Sequence, residues 1–193
     1  MKQTVSVVDF IDNFLVNLLS FKQELNAIEV GYGNEAWNCF KVLNDQSKTI
    51  TDFFTVIKNN PQLFDSEYHY ILIWIENIQT YLNDSNDDLV ITFKNVLKQT
   101  EVLLKNKTIS LGQKRIWDLI FYFLKYFCTF ISKTNKRYKI LDIKFDELYL
   151  RLIKMRAKFG NLQFLGKRSC NKTTVELALI YIFIQSFIQI CQI

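Results

Sequence analysis

Seven cations fall within a short stretch of this chain: Arg151, Lys154, Arg156, Lys158, Lys167, Arg168 and Lys172. Lysine and arginine grouped in this way neutralise phosphates and release the counterions condensed on a polyanion, whatever its sequence. The spacing of Arg151, Lys154 and Lys158, three and then four residues apart, fits one face of a helix that also carries Arg156. Lys167, Arg168 and Lys172 belong to the loop that follows. A further group, Lys133, Lys136, Arg137 and Lys139, lies upstream. The three groups make one surface if the connector between them folds back. Tyr138 and Phe159 stand among the cations, where aromatic rings can stack on unpaired bases. The plainer reading is an ordinary solvated face of helices.

No other constellation of reactive residues emerges. The lone His69 has no identifiable partner for acid–base work. Cys39, Cys128, Cys170 and Cys191 form no CxxC pair and are not near His69 in sequence, so a zinc site is not expected. Thiols in a reducing compartment suit this spacing, although an even count also permits two disulfides. The acid pairs Asp87–Asp88 and Asp146–Glu147 are adjacent residues, which diverge on a helix; capping and solvation account for them. The sequence lacks the P-loop, dinucleotide-binding, nucleophile-elbow and zincin motifs. The expectation is a non-enzymatic protein with no cofactor and no metal.

The elements that must position the cations are helical. With 5 Gly and 1 Pro in 193 residues, the chain has few of the residues that make tight turns, and 49% hydrophobic content provides a core. Val7, Ile11, Phe14, Leu15, Leu18 and Leu19 predict a long first helix, stopped at Gly31 and Gly33. Trp37 and Phe40 mark a shorter one. Ile50, Phe53, Phe54 and Ile57 mark another, broken at residues 59–62. Ser66 is a candidate cap for a helix through Tyr68, Ile71, Leu72, Ile75, Ile78 and Leu82. After the polar linker at 83–88, Leu89, Phe93, Val96 and Leu97 begin a stripe that continues to Leu104. Ile116, Ile120, Phe123, Leu124, Phe127 and Ile131 line the most aromatic helix, which is broad enough in its apolar surface to be central. Residues 134–146 read as an extended connector in preference to a short strand. Phe145, Leu148, Leu152 and Met155 then begin a further helix. The fold class expected is all-α, an antiparallel helical bundle or HEAT-like helical-hairpin array of about seven to eight helices, in one domain over residues 1–193. Within it, residues 1–100 hold 7 Lys/Arg against 13 Asp/Glu, a net of 7 − 13 = −6. Residues 101–193 hold 17 against 6, a net of 17 − 6 = +11. This asymmetry fits internal complementarity or a basic face for a polyanion.

Val175 to Ile193 contains no Lys or Arg and approaches the length of a membrane span. Glu176, Gln185, Gln189 and Gln192 interrupt it, and the three glutamines form a polar edge. That pattern favours a helix packed in the domain or against a protein partner over one inserted in lipid. Asp9 and Asp12 interrupt the apolar N-terminal run, which argues against a cleaved secretory signal.

The segment "RAKFGNLQFLG" at 156–166, followed by "VELALIYIFIQSF", resembles the middle domain of eukaryotic initiation factor 4 gamma and related scaffolds. Arg156, Gly160, Asn161, Leu162, Phe164, Leu165 and Gly166 carry the likeness, which spans residues 151–187. In that family a basic helix meets a Gly-Asn turn and then an apolar start to the next helix of a HEAT-type pair. Gly160 would end the first helix, Asn161 would cap the second, and Leu162, Phe164 and Leu165 would enter a groove between helices. The resemblance implies a curved cytoplasmic scaffold that binds RNA and an RNA helicase in translation or RNA turnover. The expectation is therefore a binding module that contacts RNA or an acidic protein through Arg151, Lys154, Arg156, Lys158, Lys167, Arg168 and Lys172. The alternative is a helical-bundle regulator with a C-terminal membrane-anchoring or partner-binding helix.

Overall fold

A computed structural model of the chain describes residues 6–44, 49–82, 89–131, 137–158 and 161–192. Among these residues the fold is all-α: nine α-helices and four short 3-10 segments. The first helix, α1 (Val7–Ser20), starts at Ser6, whose hydroxyl accepts the Asp9 N–H, and it buries Phe10, Ile11, Phe14, Leu15 and Leu18. Of the predicted stripe, Ile11, Phe14, Leu15 and Leu18 are buried while Val7 and Leu19 are exposed, and the helix stops at Phe21. A separate short helix, α2 (Lys22–Ile28), precedes the left-handed Gly31 and then α3 (Tyr32–Phe40). Gly33 is not a stop. It lies inside α3, where a Cβ would meet the Lys22 carbonyl oxygen at 2.1 Å, so its small size is what lets α2 and α3 touch.

A capping box, Thr49 and Asp52, opens α4 (Ile50–Asn59). Asn60 ends α4, and Pro61 begins a 3-10 turn, Pro61–Leu63. A second turn, Asp65–Glu67, leads into α5 (Tyr68–Leu82), so Ser66 sits within that turn and does not cap the helix. Next come α6 (Leu89–Asn106) and α7 (Ile116–Phe130). From Tyr138 on, the expected extended connector at 134–146 is instead the first half of α8 (Tyr138–Lys154), while residues 134–136 lie outside the described residues. Leu141, Phe145, Leu148 and Leu152, spaced four, three and four residues apart, are buried on its inner face. Ile140 and Ile143 remain exposed and add apolar residues outside that inner stripe. A 3-10 segment, Asn161–Ser169, leads to α9 (Val175–Gln192).

The last of these helices is the centre of the fold. α9 packs on α1, α7 and α8, and touches α2. The rings of Phe10 and Phe183 meet edge to face at 5.0 Å, and Phe187 stacks on Phe93 at 5.1 Å. A run of aromatic contacts thus crosses the molecule from α1 and α4 to α6 and α7. The glutamine edge is bonded inside the protein except at the Gln185 Oε1, which is buried without a partner. Asn13 and Asn17 donate to Gln189 at 3.0 and 2.9 Å, while Gln185 donates to Asp142 and Asp146 at 3.0 and 3.1 Å. Gln192 reaches Asp142 at 3.1 Å. By length and composition α9 can cross a membrane; in this fold it is a core helix. An open solenoid brings each repeat into contact only with its neighbours. Here α1 and α9 close on each other, which makes the architecture a bundle.

Candidate polyanion-binding edge

The geometry of the basic region starts in the loop before α7. Gly112 and Lys114 both have positive φ, 77° and 64°, so the backbone reverses there. The reversal lets the Asp118 carboxylate accept the N–H groups of Gly112 and Arg115. Arg115 then makes a bidentate pair with Glu67 at 2.7 and 2.8 Å, and Trp117 donates to the same carboxylate at 3.0 Å. Buried charges of this kind hold only when paired and hydrogen-bonded, as they are here. This cluster fixes the start of α7 to the start of α5.

Lys114 points the other way. Its buried ammonium donates to three main-chain carbonyls: Ile153 at 2.7 Å, Met155 at 3.0 Å and Ser169 at 2.9 Å. The first lies in the last turn of α8, where the helix dipole favours a cation. Burial pulls the Lys114 ammonium below the ordinary lysine value, and the nearby Cys170 thiol acts in the opposite sense. Further bonds draw the same segment together. The Ala157 N–H donates to the Ser169 hydroxyl at 2.8 Å, and that hydroxyl donates to the Gly166 carbonyl at 2.7 Å. The Asn171 N–H reaches the Ile153 carbonyl at 2.9 Å, and the Lys158 N–H reaches Gln113.

Lys114 therefore gathers the end of α8, the strap after it and the 3-10 segment into one edge. All seven singled-out cations, Arg151, Lys154, Arg156, Lys158, Lys167, Arg168 and Lys172, are exposed on these elements. No Asp or Glu occurs between Glu147 and Glu176, and among the described residues none of the seven is in an ion pair. Their arrangement differs from the sequence reading: Lys167 and Arg168 stand on the 3-10 segment and not in a loop. α8 ends at Lys154, so only Arg151 and Lys154 share the helix, and Arg156 and Lys158 ride on the strap. Helix geometry also separates the upstream group. Arg137 and Lys139 lie at the opposite end of α8 from Arg151, about 20 Å away along the axis. They do not join the edge, and Lys133 and Lys136 lie outside the described residues.

The aromatic residues at this edge are also different. Tyr138 is half-buried at the far end of α8 and packs against the core, while Phe159 and Gly160 lie outside the described residues. Leu165 is partly exposed and Phe164 is 82% exposed, so neither enters a helix–helix groove. Gly166, at φ 55° and ψ −127°, interrupts the 3-10 segment just after them. Beside Phe164 is an open concavity of about 440 Å³ lined by Arg156, Ala157, Lys158, Gln163 and Phe164.

Elsewhere the chemistry is subdued. His69 is exposed. Burial pushes the Cys39 and Cys128 thiols up, away from the reactive thiolate form. A groove of about 630 Å³ between α3 and α4 is lined by Glu35, Cys39, Asp52, Thr55, Asn59 and Asn60 among others, and its carboxylates disfavour a phosphate. No group of three potential metal ligands occurs among the described residues.

Comparison with known proteins leaves the geometry to speak for itself. No protein-family model, curated protein or solved structure matches this chain. Lys114 was absent from the residues singled out in the sequence. One signal for it was available: Lys114 and Arg115 stand just before a helix N-terminus, where cations are unfavourable unless they are engaged elsewhere.

Proposed function

We propose that this chain is a non-enzymatic helical binding module that holds RNA on its basic edge. The observation that carries the reading is the gathering of seven exposed cations, without an intervening acid, by the Lys114 anchor. An acidic protein surface is the second partner such an edge suits. Translation or RNA turnover as the setting, an RNA helicase as co-partner and the cytoplasm as the compartment rest on the resemblance at residues 151–187. Anchoring by residues 175–193, in a membrane or a partner, would require α9 to leave the core it centres.

Fluorescence anisotropy with a labelled single-stranded RNA over a range of salt concentrations tests the reading. Affinity should fall steeply with salt. Each lost phosphate contact on a single strand lowers the log–log slope by about 0.7, so the pair K167E/R168E should flatten it by about 1.4. Absence of binding at low salt, or an unchanged slope in the variant, would discard the RNA assignment.

A further inference from the structure

We infer that Phe164 is a stacking platform for one unpaired nucleotide, and that the basic edge therefore selects single-stranded RNA over duplex. This inference rests on the RNA reading above and specifies the ligand at the same site. Phe164 is a large aromatic side chain left 82% exposed although the core buries 45 hydrophobic residues among those described. The chain that follows it is tied down. Two residues further on, Gly166 kinks the chain, and Ser169 bonds back to the Gly166 carbonyl at 2.7 Å. Ser169 in turn is held by Lys114, whose ammonium grips its carbonyl at 2.9 Å. The ring is thus presented by a loop tied to the core.

What surrounds the ring decides the ligand. The concavity beside it is lined by two cations, Arg156 and Lys158, and by the Gln163 amide. Arg156 lies against the kink, with a terminal guanidinium nitrogen 3.8 Å from where a Cβ on Gly166 would stand. An aromatic face, an amide able to donate and accept, and two cations match the three parts of a nucleotide: base face, base edge and flanking phosphates. A lipid surface would call for a convex apolar tip with its polar groups held back at the headgroup level. Here a polar amide and two cations line a hollow against the ring, which suits a discrete ligand. Along a duplex the base faces are stacked inside and only base edges, sugars and phosphates are offered, so Phe164 should contribute only to single-strand binding.

The test compares a short labelled oligouridine with a blunt RNA duplex of the same length, each over the same series of salt concentrations, on the full chain. F164A should weaken single-strand binding about tenfold, within the range for loss of one stacked base. Duplex affinity and the salt slope should be unchanged. F164W should retain binding and show quenching of its added indole fluorescence by oligouridine but not by duplex. Because the side chain is exposed, F164A should keep its thermal midpoint. Unchanged single-strand affinity in F164A, with the wild type still bound salt-dependently, would overturn the stacking role and leave the basic edge standing. Failure of the wild type to bind either RNA at low salt would remove both. If phosphatidylserine vesicles bind the wild type but not F164A, and RNA does not compete, Phe164 is a membrane-inserting residue and the inference is wrong.

Discussion

Glu176 stands in the first turn of α9, where the helix dipole welcomes a carboxylate, yet burial pushes its pKa up. Asp65 and Glu29 nearby add to the rise, while its own backbone N–H and the Thr174 side chain oppose it. A raised carboxylate pKa means that the folded state holds the proton more tightly than the unfolded chain. Stability then falls as pH rises from the ordinary carboxylate value through the folded one, and it stays lower above that window. The variant E176Q removes the charge, so it should raise the thermal midpoint at neutral pH. Near pH 3, about a unit below an ordinary glutamate, the carboxyl is protonated in both states and the gain should vanish. Equal midpoints at both pH values would refute the assignment. At this scale the sequence was only partly readable. The seven cations were evident from type and spacing, because exposure is the ordinary fate of lysine and arginine. Lys114 was not, since the carbonyls it holds are 39 to 55 residues away in the chain. Nor was the exposure of Phe164, which runs against the usual burial of phenylalanine.

Among the elements, periodicity located the helices where one face is buried and misjudged those whose outer face is also apolar. In α7 the predicted stripe and the buried residues agree, from Ile116 through Ile120, Phe123 and Leu124 to Phe127. In α8 the exposed Ile140, Ile143 and Leu150 blurred the pattern, and the first half was read as a connector. Glycine was misread for a different reason. A helix stop and a close helix crossing both select Gly, and only the spatial arrangement distinguishes them. At Gly31 the φ of 88° places it in the left-handed region, while Gly33 is needed for contact between α2 and α3. A methyl group at position 33 would meet backbone, which cannot swing aside as a side chain can. The variant G33A should therefore destabilise the protein by about 3 kcal/mol, the upper part of the range for overpacking, measured by urea unfolding. A cost below about 0.5 kcal/mol, the scatter of ordinary surface changes, would show that the two helices separate freely.

For the whole molecule, the sequence indicated an all-helical protein without deciding how the helices close. Bundles and helical arrays share the same amphipathic pattern, and the difference lies in which helices meet. Here the meeting of α1 with α9 decides it. Truncation after Thr174 gives a direct test of that closure. It should leave Phe10, Phe14, Phe93 and Phe127 without their α9 partners and abolish cooperative thermal unfolding. If the truncated chain instead stays folded and merely leaves the membrane fraction of cells, α9 is an anchor and not the core. The same closure has a consequence for the chain during synthesis. Asn13 and Ser186, bonded in the finished fold, are 173 residues apart. At translation rates of about 5 to 20 residues per second, α1 waits roughly 10 to 35 s for its partner to be made. Through that interval α1 can close on α3 and on Phe53 of α4, but the strip that α9 will cover stays bare, a surface on which chaperones can hold the nascent protein until its last helix is made.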